Sequence, residues 1–278
     1  MKYLGWFGLW LLSVLVGGGA VASAAEPVET APKMSIDAWV GKELVYDIAF
    51  LWFDRLAEGQ LAVSPGPRPG TYRALLEART LGVAAWLTSD RVQRYEALME
   101  ISPDGYLRPL SYESRIIKGP KDKRKDRGKR YLYDHEKGQV SYTRTRNGTP
   151  GEATVLPIAG TPPADILTAF FNFQSGVYGP LTPGKTYRIL ALAKKGVGWI
   201  EAEVLPEEKW PEKEFFSKTA TLVKVRVDPE VFETKDGILY IGFDRALRPE
   251  RGIVENVIGM GTVYGSEGPP SEATTTVR

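Results

Sequence analysis

The sequence contains no cysteine and a single histidine, His135. Without cysteine there is no disulfide, so the core has to hold by packing alone. There is also no thiol to carry the lipid of a bacterial lipoprotein. One imidazole and no thiolate exclude zinc sites of the usual nitrogen and sulfur type. A Ser-His-Asp triad would have to use His135, which stands between Asp134 and Glu136 in what reads as an exposed turn, with no nucleophile-elbow sequence beside it. A charge excess is missing as well: 36 Lys and Arg against 34 Asp and Glu leave a net +2, so the molecule as a whole has no pull on nucleic acid. Solenoid-length repeats are absent.

The one long apolar run lies at the start. Lys2 precedes Leu4 to Val16 (LGWFGLWLLSVLV), three glycines follow, and Ala22-Ser23-Ala24 has the form of an A-x-A cleavage site. The run is shorter than the ~20 residues a membrane span needs. It predicts a signal peptide over residues 1–24 and a protein that is periplasmic or secreted after cleavage. Two proline-bearing polar stretches frame the remainder. They predict a flexible lead-in over residues 25–40, one β-rich domain over 41–265 and a disordered tail over 266–278.

Strand signals fill the domain. They fall at Leu44 to Phe50, Leu56 to Val63, Tyr72 to Arg79, Arg91 to Ile101, Leu110 to Ile117 and Arg130 to Tyr133. A second series follows at Tyr187 to Leu192, Trp199 to Leu205, Leu222 to Val227, Gly237 to Phe243 and Ile253 to Tyr264. Val223, Val225 and Val227 alternate with Lys224 and Arg226, which gives one buried and one wet face. Many such strands in one chain predict a mainly β fold, a curved antiparallel sheet or partial β-barrel. One short helix is expected over Pro162 to Gln174, opened by the Thr161 hydroxyl and two prolines. Its apolar stripe, Ile166, Leu167, Phe170 and Phe171, has to be buried, and the concave side of the sheet is the place for it.

The order of several short motifs resembles a family of bacterial exported proteins catalogued as domain of unknown function 3108. Gly41-Lys42-Glu43-Leu44-Val45-Tyr46-Asp47 matches its opening Gly-x-x-Leu-x-Tyr-Asp, with Glu58-Gly59 at the hairpin return. Tyr131-Leu132-Tyr133-Asp134, the run Asp165 to Phe171 before Pro183-Gly184, and Asp244 to Pro249 follow in the family's order. At Ile241-Gly242-Phe243 the chain departs from the tryptophan expected before the aspartate. The resemblance implies an exported β-rich body and brings no catalytic residues.

Three features could carry function. Gly179 to Thr186 spells GxxxxGKT, the signature of a phosphate-binding loop. Two prolines in the loop lack the amides such a cradle needs, and Tyr187-Arg188-Ile189-Leu190 after it is strand-like. It predicts a Pro-Gly turn and no nucleotide. From Lys118 to Arg130, eight cations and two aspartates leave a net +6 over thirteen residues. Mutual repulsion predicts an extended, mobile hairpin loop, whose Lys121, Lys123, Arg124, Lys125 and Arg127 would touch an anionic envelope surface. Finally, Phe50-Leu51-Trp52-Phe53 is too continuously apolar to point wholly inward. Phe50, Trp52 and Phe53, with Ile166, Phe170 and Phe171 of the helix, are the candidate lining of a site for a lipid or other amphipathic ligand.

The expected function is a non-enzymatic envelope protein that binds an apolar or amphipathic ligand, or a partner, on the concave face of its sheet. It requires no cofactor, metal or nucleic acid. A structural or assembly factor acting through a sheet edge and the basic loop is the second expectation. A hydrolase of envelope polymers is the third, resting only on the paired carboxylates that any chain this acidic supplies.

Overall fold

The computed structural model describes residues 35–50, 53–120, 123–158, 160–194 and 196–268, with the backbone alone for Phe53, Asp54, Val83, Trp86 and Leu87. The leader expected over residues 1–24 lies outside this range. Fourteen strands form one sheet, antiparallel throughout. The first eight are β1 (Glu43–Phe50), β2 (Phe53–Pro65), β3 (Thr71–Thr80), β4 (Val92–Ile101), β5 (Leu107–Lys118), β6 (Lys125–Asp134), β7 (Gln139–Arg146) and β8 (Thr149–Pro157). The other six are β9 (Thr186–Ala193), β10 (Gly196–Leu205), β11 (Thr221–Arg226), β12 (Ile238–Phe243), β13 (Pro249–Val257) and β14 (Gly261–Glu267).

The spatial order runs from β8 down to β1, then from β14 down to β9. Each half is a meander, and the β1–β14 pairing joins the two. The sheet is therefore curved and barrel-like but unclosed, because β8 and β9 are its two edges. Ala164 covers the β9 edge: its amide donates to the Leu190 carbonyl at 2.8 Å and its carbonyl accepts from the Leu192 amide at 2.9 Å. Among the described residues none covers β8 in this way, and nearly all residues of β8 are exposed.

Helix α2 (Ile166–Gln174) crosses the concave side, as the apolar stripe requires. Its start differs from expectation. Asp165, not Thr161, is the cap; Oδ1 accepts from the amides of Leu167 at 2.9 Å and Thr168 at 3.0 Å, and Oδ2 from the Thr168 hydroxyl at 2.6 Å. Burial pushes the Asp165 carboxyl above its ordinary range, and these hydrogen bonds oppose that shift. Asn172 acts as a piece of strand: its side chain donates to the Leu107 carbonyl at 2.7 Å and accepts from the Leu107 amide at 2.8 Å.

Several expectations are corrected. A second helix, α1 (Gly82–Thr88), links β3 to β4. The single strand expected from Ile253 to Tyr264 is the hairpin β13–β14. Gly259 and Gly261, at φ +82° and +89°, reverse the chain there. β7 and β8 are additional strands. The lead-in is structured from residue 36, since the 3-10 turn Ile36–Trp39 buries Trp39 against Phe171, with ring centroids 5.6 Å apart and edge-on. The domain also runs past residue 265, because β14 ends at Glu267. His135 is half-buried and stacks on Tyr133 at 5.9 Å, with Nε2 2.7 Å from the Pro109 carbonyl oxygen. The basic run is not a long loop: β6 begins at Lys125 and pairs along β5.

Candidate functional site: a divided concave face

Turns in an antiparallel sheet alternate between its two ends. The turns β1–β2, β3–β4, β5–β6, β7–β8, β9–β10, β11–β12 and β13–β14 therefore share one end. α2 leans the other way, toward the opposite end, where Asn172 meets Leu107 and Gln174 donates to the Leu247 carbonyl. The space left on the concave side lies toward the first end and has two compartments.

The first is an apolar cavity of about 720 Å³. Val223 and Val225 face it from β11 and Val227 from just beyond the strand's end, as their alternation with Lys224 and Arg226 requires. Ile48 and Phe50 line it from β1, and Ile166, Phe170 and Phe173 from α2. Phe170 is only partly buried and stacks on Phe243 at 6.2 Å.

The second compartment, about 950 Å³, is the more polar of the two. Strand register assembles it. Tyr112, Tyr131 and Tyr142 stand in one cross-strand row of β5, β6 and β7, with centroids 5.9 and 5.6 Å apart. Burial pushes the Tyr131 phenol up to about 12. Two residues along, in the same facing, comes the row Ser114, Lys129 and Arg144, and two further on Ile116, Arg127 and Arg146. Period two puts all three rows on one face. Arg91, Gln93, Tyr95 and Ile166 line both compartments, so the two are contiguous.

The segment between β11 and β12 straps across this end. Gly237, at φ +68°, closes it with its carbonyl accepting from the Val227 amide at 2.9 Å; a Cβ there would collide with the Val227 carbonyl oxygen. The Val231 carbonyl accepts from the Tyr95 hydroxyl and from Gln93. Phe232 packs edge-on to Tyr95 at 5.7 Å. The strap's carboxylates reach into the basic side: Glu233 pairs with Arg91, and Glu230 with Lys129 at 2.9 Å and Lys194 at 2.7 Å. Burial alone would raise the Glu230 carboxyl, but hydrogen bonds and charge from the two lysines outweigh it and hold the group below its ordinary value.

Of the apolar candidates, Phe50, Ile166 and Phe170 line the first compartment. Phe171 does not: it is buried against Trp39, because adjacent helical residues point about 100° apart. Trp52 lies outside the described residues, and of Phe53 only the place in β2 is described. Among the basic candidates, Lys123 and Arg124 are exposed in the β5–β6 turn, Lys125 starts β6, and Arg127 lines the polar compartment. Lys121 lies outside the described residues. Sequence reasoning missed Arg91, Arg144, Arg146, Lys194 and Glu230. The alternation Tyr142-Thr143-Arg144-Thr145-Arg146 was the signal that could have found β7 and its arginines. Gly179 to Thr186 forms a turn that runs directly into β9, with the Lys185 ammonium 4.8 Å from the Tyr187 ring centroid. Among the described residues no three His, Asp or Glu side chains gather as metal ligands.

The sequence matches no protein-family model, and no curated protein matches it. One similar solved structure is a β-barrel-like protein of domain of unknown function DUF1849 from Brucella abortus. It is 12% identical over 81% of this chain and 94% of that one, with a TM-score of 0.43.

Proposed function

We propose that the protein is a non-enzymatic component of the cell envelope that holds an apolar or amphipathic small molecule on the concave face of its sheet. The observation that carries this reading is the cavity of about 720 Å³ between α2 and the sheet. It falls within the roughly 300–1,000 Å³ of small-molecule sites, and such sites are mostly apolar with a few polar groups. Carbon side chains from β1, β11 and α2 make its walls, and Arg91, Gln93 and Tyr95 supply polarity at one side. The leader expected over residues 1–24 and the resemblance to an exported family support work outside the cytoplasm.

Mass spectrometry of organic extracts from mature protein, purified natively from its host, tests this. A stoichiometric lipid-class molecule is the expected result. Failure to find one, together with failure of the delipidated protein to bind single-chain lipids, would overturn the reading.

A second reading has its own observation. β8 is an uncovered edge strand whose Val155 is 54% exposed, and such edges recruit strands from other chains. An assembly role through β8 predicts that Val155→Lys abolishes capture of a partner and leaves lipid binding unchanged.

A further inference from the structure

Resting on the lipid-binding reading above, we propose that the polar compartment is the head-group half of the same site, and that it takes a phosphate-class anion whose acyl chain lies in the apolar cavity. The argument begins with register. Lys118 stands directly opposite Lys125, Arg127 opposite Arg146, and Lys129 opposite Arg144. Like charges directly opposite one another destabilise a sheet. Of these six cations only Lys129 has a carboxylate partner among the described residues. Arg127, Lys129, Arg144 and Arg146 line the mouth of the compartment beside the tyrosine row, Lys129 half-buried and the three arginines exposed, so an incoming anion can reach them.

Eight Lys and Arg residues border this compartment against four Asp and Glu, and all but Arg115, which turns to Asp126 on the other face of β5, can turn their side chains to it. One of the acids already behaves as the counter-ion the recess lacks: Glu230 sits between Lys129 and Lys194. Arginine suits the remainder of the task, because its planar fork matches phosphate oxygens two at a time. The compartment adjoins the apolar cavity, with Arg91, Gln93, Tyr95 and Ile166 lining both. An anion held there can thus place a covalently attached chain against Phe170 and Val225. An adjoining apolar cavity favours an amphiphile over a polymer that offers phosphate alone.

Calorimetry on the delipidated full mature chain tests the proposal with three probes: 1-oleoyl lysophosphatidate below its micelle concentration, mono-oleoylglycerol with the same chain, and inorganic phosphate. Lysophosphatidate is expected to bind at least about tenfold tighter than mono-oleoylglycerol, since charge-assisted contacts are the strong ones, and to weaken as salt rises. Arg144→Gln combined with Arg146→Gln should remove that advantage and leave mono-oleoylglycerol within about twofold of the parent, because neither arginine lines the apolar cavity. The same variant should melt no lower than the parent, since it relieves like-charge pairs; this separates a binding loss from a folding loss. Equal binding of the two lipids would overturn the head-group assignment and leave the apolar site standing. Inorganic phosphate as tight as lysophosphatidate would overturn the amphiphile and leave a plain anion site. Binding of neither lipid would overturn the parent reading itself.

Discussion

Phe170 stacks on Phe243 with ring centroids 6.2 Å apart, while its neighbour Phe171 meets Trp39 edge-on at 5.6 Å. The two phenylalanines therefore do different work, although they are adjacent in sequence. Phe171 is 2% exposed and fills the core under the turn Ile36–Trp39. Truncating it leaves a cavity where none existed, so Phe171→Ala should cost about 3–5 kcal/mol. Phe170 borders space that is already there, so Phe170→Ala should cost less than half as much and should instead weaken lipid binding. Urea denaturation of the delipidated variants measures the first effect and lipid titration the second. Equal stability losses would mean that the cavity is closed in solution.

Asn172 replaces a neighbouring strand for Leu107, donating to its carbonyl and accepting from its amide. Asn172→Ala leaves both backbone groups buried without partners. At about 1–3 kcal/mol for each such group, a total of about 2–6 kcal/mol is expected. Hydrogen exchange at the Leu107 amide should accelerate by more than exchange across the rest of β5. Unchanged protection there would show that another partner takes over.

Those two residues also indicate what sequence alone could reveal. Period-two alternation at Val223, Val225 and Val227, and helical spacing at Ile166 and Phe170, are local signals, and both put the residues where the structure has them. Such signals fixed the sheet's character and the concave place of α2. What they could not disclose depends on register between strands distant in sequence: that Arg127 faces Arg146, or that Glu230 reaches Lys129 across 101 positions. The cluster from Lys118 to Arg130 misled for a physical reason. Lys125, Arg127 and Lys129 do share one face of β6, but Lys125 and Arg127 are exposed and Lys129 is half-buried and paired with Glu230. Water and a carboxylate offset the repulsion, so charge density did not prevent β6 from forming.

Shortening the basic hairpin makes that correction measurable. Lys118 and Lys125 are already paired, so replacing residues 119–124 by Asn-Gly joins them through a two-residue turn. That variant should fold with a melting temperature close to the parent's. Extending the deletion to Lys129 removes half of β6 and strips partners from both β5 and β7; it should yield no cooperative unfolding transition. A well-folded longer deletion would mean that the β5–β6 register is dispensable.

The last prediction concerns acid. Glu230 on the strap faces Lys129 from β6 and Lys194 from the β9–β10 turn, with Asp228 and Arg144 nearby. Its carboxyl is held below its ordinary value, so it binds fewer protons in the folded state than in the unfolded one. The sign follows: its contribution is fully present above the unfolded value and is lost as pH falls through the folded one. Asp165 has the opposite sign. Burial raises its carboxyl, so its protonation favours the folded state, and its contribution improves as pH falls. Acidification from neutral into the carboxylate range should thus free the strap while the capped start of α2 holds. Hydrogen exchange followed residue by residue should show amides near Val231 losing protection before those of Ala169 and Phe171. Glu230→Gln should flatten the strap's acid response, because an amide neither titrates nor carries charge to the two lysines. It should leave the response of α2 unchanged, since Asp165 is not among the groups facing Glu230. A strap whose protection is the same at neutral and acid pH, or whose acid response survives Glu230→Gln, would show that Tyr95 and Gln93 hold it through Val231 without help from the ion pairs.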